Sequence, residues 1–269
     1  MTRGKVWFVG AGPGAPDLLT LRAARVLAAA DVVVWAASLV MEEAVTAHAR
    51  RGAELVDSSG LTLEDVCAVY DRAAAEDLVV ARVHSGDPSL WGALGEQIEE
   101  VAARGLDWEI VPGVSSLGAA AAALGRELTV PGVAQSVILT RLATATPTPG
   151  NEGLRALAAH GTTMALFLSA KRGRRVQAEL LAGGYPPDTP CAVVYRATWP
   201  EERVLRCRLD ALAATLRDAG LVRHTLILVG RALEAGGTRS YLYDPAFAHA
   251  FRTPTGHAPV PAGREPRAR

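Results

Sequence analysis

The first half of the chain alternates short, almost wholly apolar runs with stretches of helical periodicity, and this alternation constrains the fold strongly. The strand-like runs lie at 5–10, 31–35, 53–57, 78–83 and 107–111, and the helical stretches lie at 18–30, 42–50, 62–75 and 90–104. Strands that are apolar along their whole length are typical of a parallel sheet buried on both faces. We therefore predict an α/β fold in which helices cover a parallel sheet.

An alanine-rich stretch from Ser115 to Leu124 separates this half from a second series of elements. The second series has strand-like runs at 136–140, 163–168, 191–196 and 225–229, with helices near 170–182 and 208–219. We predict an N-terminal α/β domain over 1–113, a C-terminal α/β domain over 114–245 and a flexible tail over 246–269, where Pro, Gly and Arg replace large apolar residues.

Composition narrows the class of protein. The 269 residues are 49% hydrophobic, and 28 basic residues balance 28 acidic ones, so no net charge draws the chain to nucleic acid or to an anionic membrane. The three cysteines, Cys67, Cys191 and Cys207, form neither a CxxC pair nor a cluster with histidine, which predicts no metal site and no disulfide framework. Without a long apolar segment or a signal peptide, we expect a cytoplasmic protein that does not bind membranes.

Two glycine-containing loops follow strands of the predicted parallel sheet. Gly10-Ala11-Gly12-Pro13-Gly14 comes after the first strand, and Ser85-Gly86-Asp87-Pro88 comes after the fourth. Parallel sheets bind small ligands outside the carboxyl ends of their strands. The sequence therefore predicts one cleft lined by both loops.

The first loop also fits the loose dinucleotide pattern, with Gly10, Gly12 and Ala15 in register. Such a site needs a helix that begins at the loop and an acidic residue at the end of the next strand. Here Pro13 and Pro16 delay the helix, and the second strand ends without an acid. A nicotinamide-dependent oxidoreductase is the alternative from another class of enzyme.

Each loop also has a plain structural alternative. The glycines of the first loop are equally suited to a tight turn without a ligand. In the second loop, Asp87 or Ser89 would cap a helix running from Leu90 to Arg104.

The first loop carries a family resemblance. Residues 9–14, followed by Asp17-Leu18-Leu19-Thr20-Leu21, resemble the opening pattern of the tetrapyrrole methyltransferases of cobalamin and sirohaem synthesis. Gly86-Asp87-Pro88, residues 111–116 and residues 225–230 follow in the family's order, so the resemblance covers about residues 5 to 235. One branch of the family, which methylates a ring carbon of a corrin precursor, is most similar at 37–40, 85–97, 124–131 and 137–141.

The resemblance implies two α/β domains of the tetrapyrrole methylase type, with S-adenosyl-L-methionine in a trough between them, in a homodimer. It implies a methyltransferase of cobalamin (vitamin B12) biosynthesis with a small-molecule tetrapyrrole substrate. Four alternatives within the fold stay open. They are methylation of another ring carbon, methylation of the cobalt-containing form of the substrate, methylation of a protein or RNA, and a tetrapyrrole carrier without transferase activity.

The resemblance also implies cofactor-binding residues, position by position. They are Pro13, Ser85, Gly86, Asp87, Leu90, Ser115 and Ser116 from the first half, and Leu168 and Ala197 from the second half, with Thr225 as a further candidate.

One position departs from the family. Relatives that methylate uroporphyrinogen have an aspartate on the loop after the second strand, where this chain has about Ala37. The catalytic residue is therefore left open, and the neighbouring 57–59 (Asp-Ser-Ser) segment is either part of the trough or an ordinary turn. Because the implied substrate bears several carboxylates, arginines are candidates to bind it, with a surface ion pair as the alternative for each. These are Arg82, Arg126, Arg141 and Arg196.

Overall fold

The computed structural model describes residues 4–144, 146–234, 236 and 240–253, and in them ten strands form two five-stranded sheets. The first sheet has the strand order β3-β2-β4-β1-β5, and its neighbouring strands all pair in parallel. Its strands are β1 (Lys5–Gly10), β2 (Val32–Trp35), β3 (Glu54–Asp57), β4 (Val79–His84) and β5 (Asp107–Val111). The parallel sheet predicted from the apolar runs is confirmed.

Helices cover both faces of this sheet. They are α1 (Leu21–Ala29), α2 (Glu42–Thr46), α3 (Leu63–Glu76) and α4 (Leu94–Ala103). The first two pack on one face, where Val9 of β1 is buried, and the other two pack on the opposite face around Phe8. Thr62 begins α3 with a complete capping box, since its side chain accepts from the Asp65 amide and Asp65 accepts from the Thr62 amide.

The second sheet is mixed, with the strand order β6-β7-β10-β8-β9. Its strands are β6 (Val137–Arg141), β7 (Thr163–Phe167), β8 (Pro190–Tyr195), β9 (Arg203–Arg208) and β10 (Thr225–Val229). The sequence prediction missed β9, because this edge strand carries three arginines and resembles a solvated segment more than a buried strand. The predicted helix over 208–219 is correspondingly shorter and begins as an α-helix at Leu212.

The alanine-rich helix α5 (Ser116–Leu124) connects the two sheets and covers one face of the second. Its Ala119 and Ala120 are buried against Ala165 of β7 and Ala192 of β8. Small side chains on both sides let the helix axis approach the sheet closely. The other face is covered by α6 (Leu154–Ala158), α7 (Gly173–Ala182) and α8 (Leu212–Asp218).

The strand directions decide which strand ends of the two sheets lie next to each other. β6 and β7 are parallel, and β7 and β8 each pair antiparallel with β10, so the carboxyl ends of β6, β7 and β8 lie at one edge of the second sheet. Hydrogen bonds join this edge to loops at the carboxyl ends of β1 and β2. The carboxyl ends of strands from both sheets therefore meet, and the α/β fold class is confirmed.

The domain division at 113 and the tail over 246–269 stay predictions. Of that tail, residues 246–253 are described, and there the Arg252 side chain donates to the carbonyls of Leu242, Asp244 and Phe247. The remainder, 254–269, lies outside the described residues. Within the described ranges, no helix combines the length and the apolar character needed to cross a membrane.

Candidate active site

Three glycines meet where β1, β4 and β5 end. A Cβ atom added to Gly113 would lie 2.1 Å from the Gly86 carbonyl oxygen and 2.8 Å from the Gly10 Cα, so only glycine fits. Gly86 has a φ of +66°, which also favours glycine. The Gly86 amide donates to the Gly12 carbonyl at 2.8 Å, and the Gly12 amide donates back at 3.2 Å. The two predicted loops therefore form one hydrogen-bonded unit.

The Asp87 carboxylate holds this unit to the third strand end. Its Oδ2 accepts from the Gly113 amide at 2.8 Å, and its Oδ1 accepts from the Ser89 amide at 2.9 Å and from the Ser89 hydroxyl. Partial burial raises the pKa of Asp87, but the hydrogen bonds from the Ser89 side chain and from the two amides outweigh it, so the pKa lies below its ordinary value. Asp87 is thus an ionised acceptor at neutral pH.

The helix-cap alternative for Asp87 and Ser89 is wrong. Helix α4 begins at Leu94, and its N-cap, Ala93, makes no side-chain capping bond. Trp91 and Ala93 instead adopt positive φ angles of 54° and 48°, so the segment after Pro88 is an irregular loop. This loop brings Leu90 and Trp91 toward the second sheet.

Ser115 and Ser116 lie against Gly86 at the start of α5. The Ser115 hydroxyl accepts from the Leu117 amide at 3.2 Å and so caps the helix. A Cβ atom added to Gly86 would lie 3.8 Å from the Ser116 amide nitrogen and 3.9 Å from the Ser115 Cα. The N-terminus of α5 and the two glycine loops are therefore neighbours, and the single cleft beside them stays a prediction.

Leu168 approaches this space from the second sheet. It follows β7, is 70% exposed and has a φ of +53°. The preceding Phe167 packs on Trp91 with a ring-centroid distance of 4.5 Å. The end of β7 is thereby in contact with the loop that carries Leu90.

The residues that follow Ala197 form a second contact between the sheets. Ala197 is buried after β8, and the next two residues, Thr198 and Trp199, bond to the first glycine loop. The Trp199 Nε1 donates to the Pro13 carbonyl at 2.9 Å. Thr225, at the start of β10, is paired with Tyr195 near the same edge, and its hydroxyl donates to the Arg223 carbonyl at 2.7 Å.

The predicted arginines have different environments. Arg82 is half-buried in β4, where it donates to the Gln97 and Ser58 side chains at 2.9 and 3.0 Å, and burial lowers its pKa. Arg196 pairs with Glu201 at 3.1 Å, in agreement with the ion-pair alternative. Arg141 donates to the carbonyls of Thr146 and Pro147, while Arg126 is exposed.

The loop at Ala37 is held by the segment that follows β3. Asp57 Oδ1 accepts from the Ala37 amide at 2.9 Å and from both the hydroxyl and the amide of Ser59, and these bonds, the Ser59 hydroxyl first, lower its pKa. The Ser59 hydroxyl in turn accepts from the Ser38 amide at 2.9 Å. Asp57 and Ser59 therefore act as turn residues that shape the loop where relatives carry an aspartate.

Sequence reasoning missed the contacts of Trp199 and His224 with the first sheet. The His224 Nε2 lies 2.9 Å from the Ser38 carbonyl oxygen, and its ring stacks on Trp199 at 6.0 Å. Neither residue stands in a pattern that marks such a role. Each residue lies 186 positions from its partner in the sequence, so these contacts become visible only in the folded structure.

Comparison with known proteins gives the family. The family model described as tetrapyrrole (corrin/porphyrin) methylases matches residues 5–213. This chain belongs to that family. As a member of the tetrapyrrole methylases, the protein is a methyltransferase, and the nicotinamide-dependent alternative is wrong.

Relatives of this tetrapyrrole methylase point to one branch. A precorrin-4 C(11)-methyltransferase from Mycobacterium tuberculosis is 50% identical over 243 residues, which covers 90% of this chain and 96% of the relative. A cobalt-precorrin-4 C(11)-methyltransferase from Methanocaldococcus jannaschii is 43% identical over 92% of this chain and 96% of its own length.

Solved structures agree with the fold. The X-ray structure of a cobalt-precorrin-4 methyltransferase superposes with a TM-score of 0.83 at 42% identity and covers 87% of this chain and 99% of its own. A uroporphyrin-III C-methyltransferase from Thermus thermophilus, solved with S-adenosylhomocysteine, has a TM-score of 0.72 at 32% identity and covers 86% of this chain and 99% of its own. Tetrapyrrole methylases use S-adenosylmethionine.

The residues of the trough fit such a cofactor. Ser85 is exposed and Ser115 and Ser116 are partly exposed beside the glycine unit, so each can offer a hydroxyl group to a ligand. The described residues contain no group of three His, Cys, Asp or Glu placed to hold a metal ion. The site therefore offers neutral hydrogen-bonding groups and one structural carboxylate.

Proposed function

We propose that this methyltransferase transfers a methyl group from S-adenosyl-L-methionine to C-11 of precorrin-4, giving precorrin-5 in cobalamin biosynthesis. The decisive support is the 50% identity to a precorrin-4 C(11)-methyltransferase across almost the full length of both chains. The segments that resemble this branch include residues 85–97, where the loop before α4 contacts the second sheet through Trp91.

A second substrate has support of its own. The relatives named for cobalt-precorrin-4 are 43% identical to this chain, and the 42% identical solved structure carries the same substrate in its name. Both forms present the same ring carbon, so we treat the cobalt form as the second candidate. A different ring carbon is the remaining alternative within the family.

We assign the cofactor to the space bordered by the glycine unit and the start of α5. The proposed contacts from this side are Pro13, Ser85, Gly86, Asp87, Leu90, Ser115 and Ser116, and those from the second sheet are Leu168 and Ala197. Asp87 would act mainly by fixing the Gly113 strand end and the Ser89 turn, because both of its oxygens accept from these groups.

When bound, the cofactor would supply an electrophilic methyl group, carried on a sulfonium, to an electron-rich ring carbon of the substrate. The chain's own residues need to align donor and acceptor and to exclude water. Positioning of this kind lowers barriers by about 7 to 11 kcal/mol in the best oriented cases. The Trp91–Phe167 pair and the buried Ala197 supply apolar surface beside the trough.

The substrate's carboxylates would be met by arginine. Of the four candidates we propose Arg82, which is half-buried and whose described hydrogen-bond partners are neutral groups: the side chains of Gln97 and Ser58 and the Val34 carbonyl. A homodimer in the cytoplasm completes the proposal, and sedimentation velocity at micromolar concentration tests the oligomeric state.

The reaction is tested with purified protein, S-adenosylmethionine and precorrin-4, with cobalt-precorrin-4 in parallel. We expect a product heavier by one methyl group in mass spectrometry, and carbon NMR with a labelled methyl donor should place it on C-11. Methylation of another carbon would refute the assignment, and methyl transfer to neither substrate would refute the proposed substrate class.

The cofactor site is tested by calorimetry with S-adenosylhomocysteine. Asp87→Ala should weaken binding at least tenfold, because it removes three hydrogen bonds that shape the loops. Asp107→Ala is the matched control, since Asp107 is an exposed aspartate at the opposite end of β5. Equal affinities of the two variants would contradict the proposed placement.

A further inference from the structure

A set of three residues from the second sheet, Thr198, Trp199 and His224, clasps loops of the first sheet, and we call it the latch. The Trp199 Nε1 donates to the Pro13 carbonyl at 2.9 Å, and the Thr198 hydroxyl accepts from the Ala15 amide at 3.0 Å. The latch therefore holds the glycine loop on both sides of Gly14.

The indole of Trp199 is fitted to the loop backbone. A Cβ atom added to Gly14 would lie 2.2 Å from the Trp199 Cδ1 and 2.4 Å from its Nε1, so the ring rests directly on Gly14. The ring is held by His224, which stacks on it with an interplanar angle of 23°, and by Arg196, whose guanidinium lies 4.8 Å from the ring centroid. Movement of the indole would therefore disturb several packed groups at once.

The backbone around the latch is strained. Arg196, Thr198 and His224 have φ angles of 46°, 70° and 49°. Positive φ is uncommon outside glycine and is a genuine outlier for a β-branched residue such as threonine. Such conformations persist where the surrounding contacts over-determine them, and they cluster at functional sites.

Proline has no amide hydrogen, so its carbonyl is the only backbone group through which Pro13 can be held by a hydrogen bond. Trp199 donates that hydrogen bond, and the Thr198 hydroxyl accepts from the amide of Ala15, two residues further along the chain. Other parts of the first loop are fixed from within the first sheet, through Gly12 and Gly86. The side of the loop that faces the second sheet depends on the latch.

We propose that Trp199 is a positioning residue for the methyl donor, which acts by holding the Pro13 carbonyl so that the first glycine loop keeps its binding conformation. This inference rests on the proposed function, because it takes the cofactor to bind beside Pro13. The latch then makes cofactor affinity depend on the contact between the two sheets. A cofactor bound by the first sheet alone would not have this dependence.

The test measures S-adenosylhomocysteine binding to the full chain by calorimetry. Trp199→Phe keeps an aromatic ring on Gly14 and removes the N–H donor, and we expect the dissociation constant to rise about 3- to 10-fold, the range typical of one neutral hydrogen bond. Trp108→Phe is the matched control, because Trp108 is 42% exposed on the edge strand β5 and lies outside the latch. Its affinity should equal that of the unaltered protein.

A second pair of variants tests the inference even if Trp199→Phe folds poorly. Thr198→Val keeps the β-branched shape and removes the acceptor for the Ala15 amide, whereas Thr198→Ser keeps the acceptor. We expect Thr198→Val to bind at least threefold more weakly and Thr198→Ser to restore the affinity to within about twofold.

Kinetics separate positioning from general weakening of the structure. Trp199→Phe should raise KM for the methyl donor while kcat at saturating donor stays within about twofold. Unaltered affinity in Trp199→Phe, or equal affinities in Thr198→Val and Thr198→Ser, would overturn the inference alone. Absence of binding to the unaltered protein would overturn the proposed function together with it.

Discussion

Replacing Gly113 by alanine tests whether the ends of β1, β4 and β5 must touch. The added Cβ would lie 2.1 Å from the Gly86 carbonyl oxygen and 2.8 Å from the Gly10 Cα. Both contacted atoms belong to backbone that is hydrogen-bonded in place, so the clash cannot be relieved by rotating a side chain. The strand ends have to separate.

Overpacking of this kind typically costs about 1 to 3 kcal/mol, and rigid contact atoms favour the upper end of that range. A loss of about 3 kcal/mol lowers the melting temperature of a chain of this size by about 6 to 12 °C. Displacement of the Gly86 loop should also weaken S-adenosylhomocysteine binding more than tenfold, because the same movement breaks the bond from the Gly113 amide to Asp87.

Thermal unfolding followed by circular dichroism, with calorimetry for the ligand, measures both effects. Gly95→Ala is the matched control, because Gly95 lies in α4 with no atom within 4 Å of an added Cβ. That variant should be between unchanged and about 1 kcal/mol more stable, since alanine favours helix. A melting temperature of Gly113→Ala within 2 °C or so of the control would refute the steric reasoning.

Other parts of the structure give three further predictions. Thr62→Ala removes the capping box of α3 and should cost about 1 kcal/mol in urea unfolding; a stability equal to that of Thr62→Ser would contradict this. Contact with the Cys191 thiol lowers the pKa of Cys207, whereas the same contact and burial raise the pKa of Cys191. Burial also raises the pKa of Cys67. Iodoacetamide near pH 7 should therefore alkylate Cys207 before the other two cysteines, and mass spectrometry measures this order. Earlier labelling of either other cysteine would refute that order. Burial, aided by the charge of Arg82, lowers the pKa of His84 to about 4. Below about pH 6.5, the unfolded chain therefore binds a proton that the folded chain does not bind. The free energy of unfolding should fall by about 3 kcal/mol as the pH drops from 6.5 to 4. NMR should show the His84 ring neutral at pH 5.5, and a charged ring there would refute the shift.

The Asp87 carboxylate has a structural role beside the proposed methyl-donor site, although methyl transfer itself needs no charged side chain. Asp87 is ionised, and the Ser89 turn and the Gly113 amide occupy its oxygens. The negative charge of Asp87 therefore stabilises the conformation of the loops. In the proposed placement, the serine hydroxyl groups beside the glycine unit remain to hydrogen-bond the methyl donor.

The sequence by itself determined the elements whose signals are local. Apolar runs in β1 and β4 and the helical periodicity of the first half each depend on neighbours within a few residues, and they predict these elements. The glycine loops and the family motifs likewise stand as contiguous strings. These features were sufficient for the α/β class and the family, and they predict where the trough lies.

Only the tertiary structure decided the features that depend on distant residues. The edge strand β9 is stabilised by pairing with β8 in spite of its arginines, and Asp87 bonds to Gly113 rather than to a helix terminus. The latch joins Trp199 to Pro13 across 186 positions. A hydrogen bond at that separation leaves no periodic trace in the chain, because its partners are brought together by the packing of whole sheets and not by the local preferences of either segment.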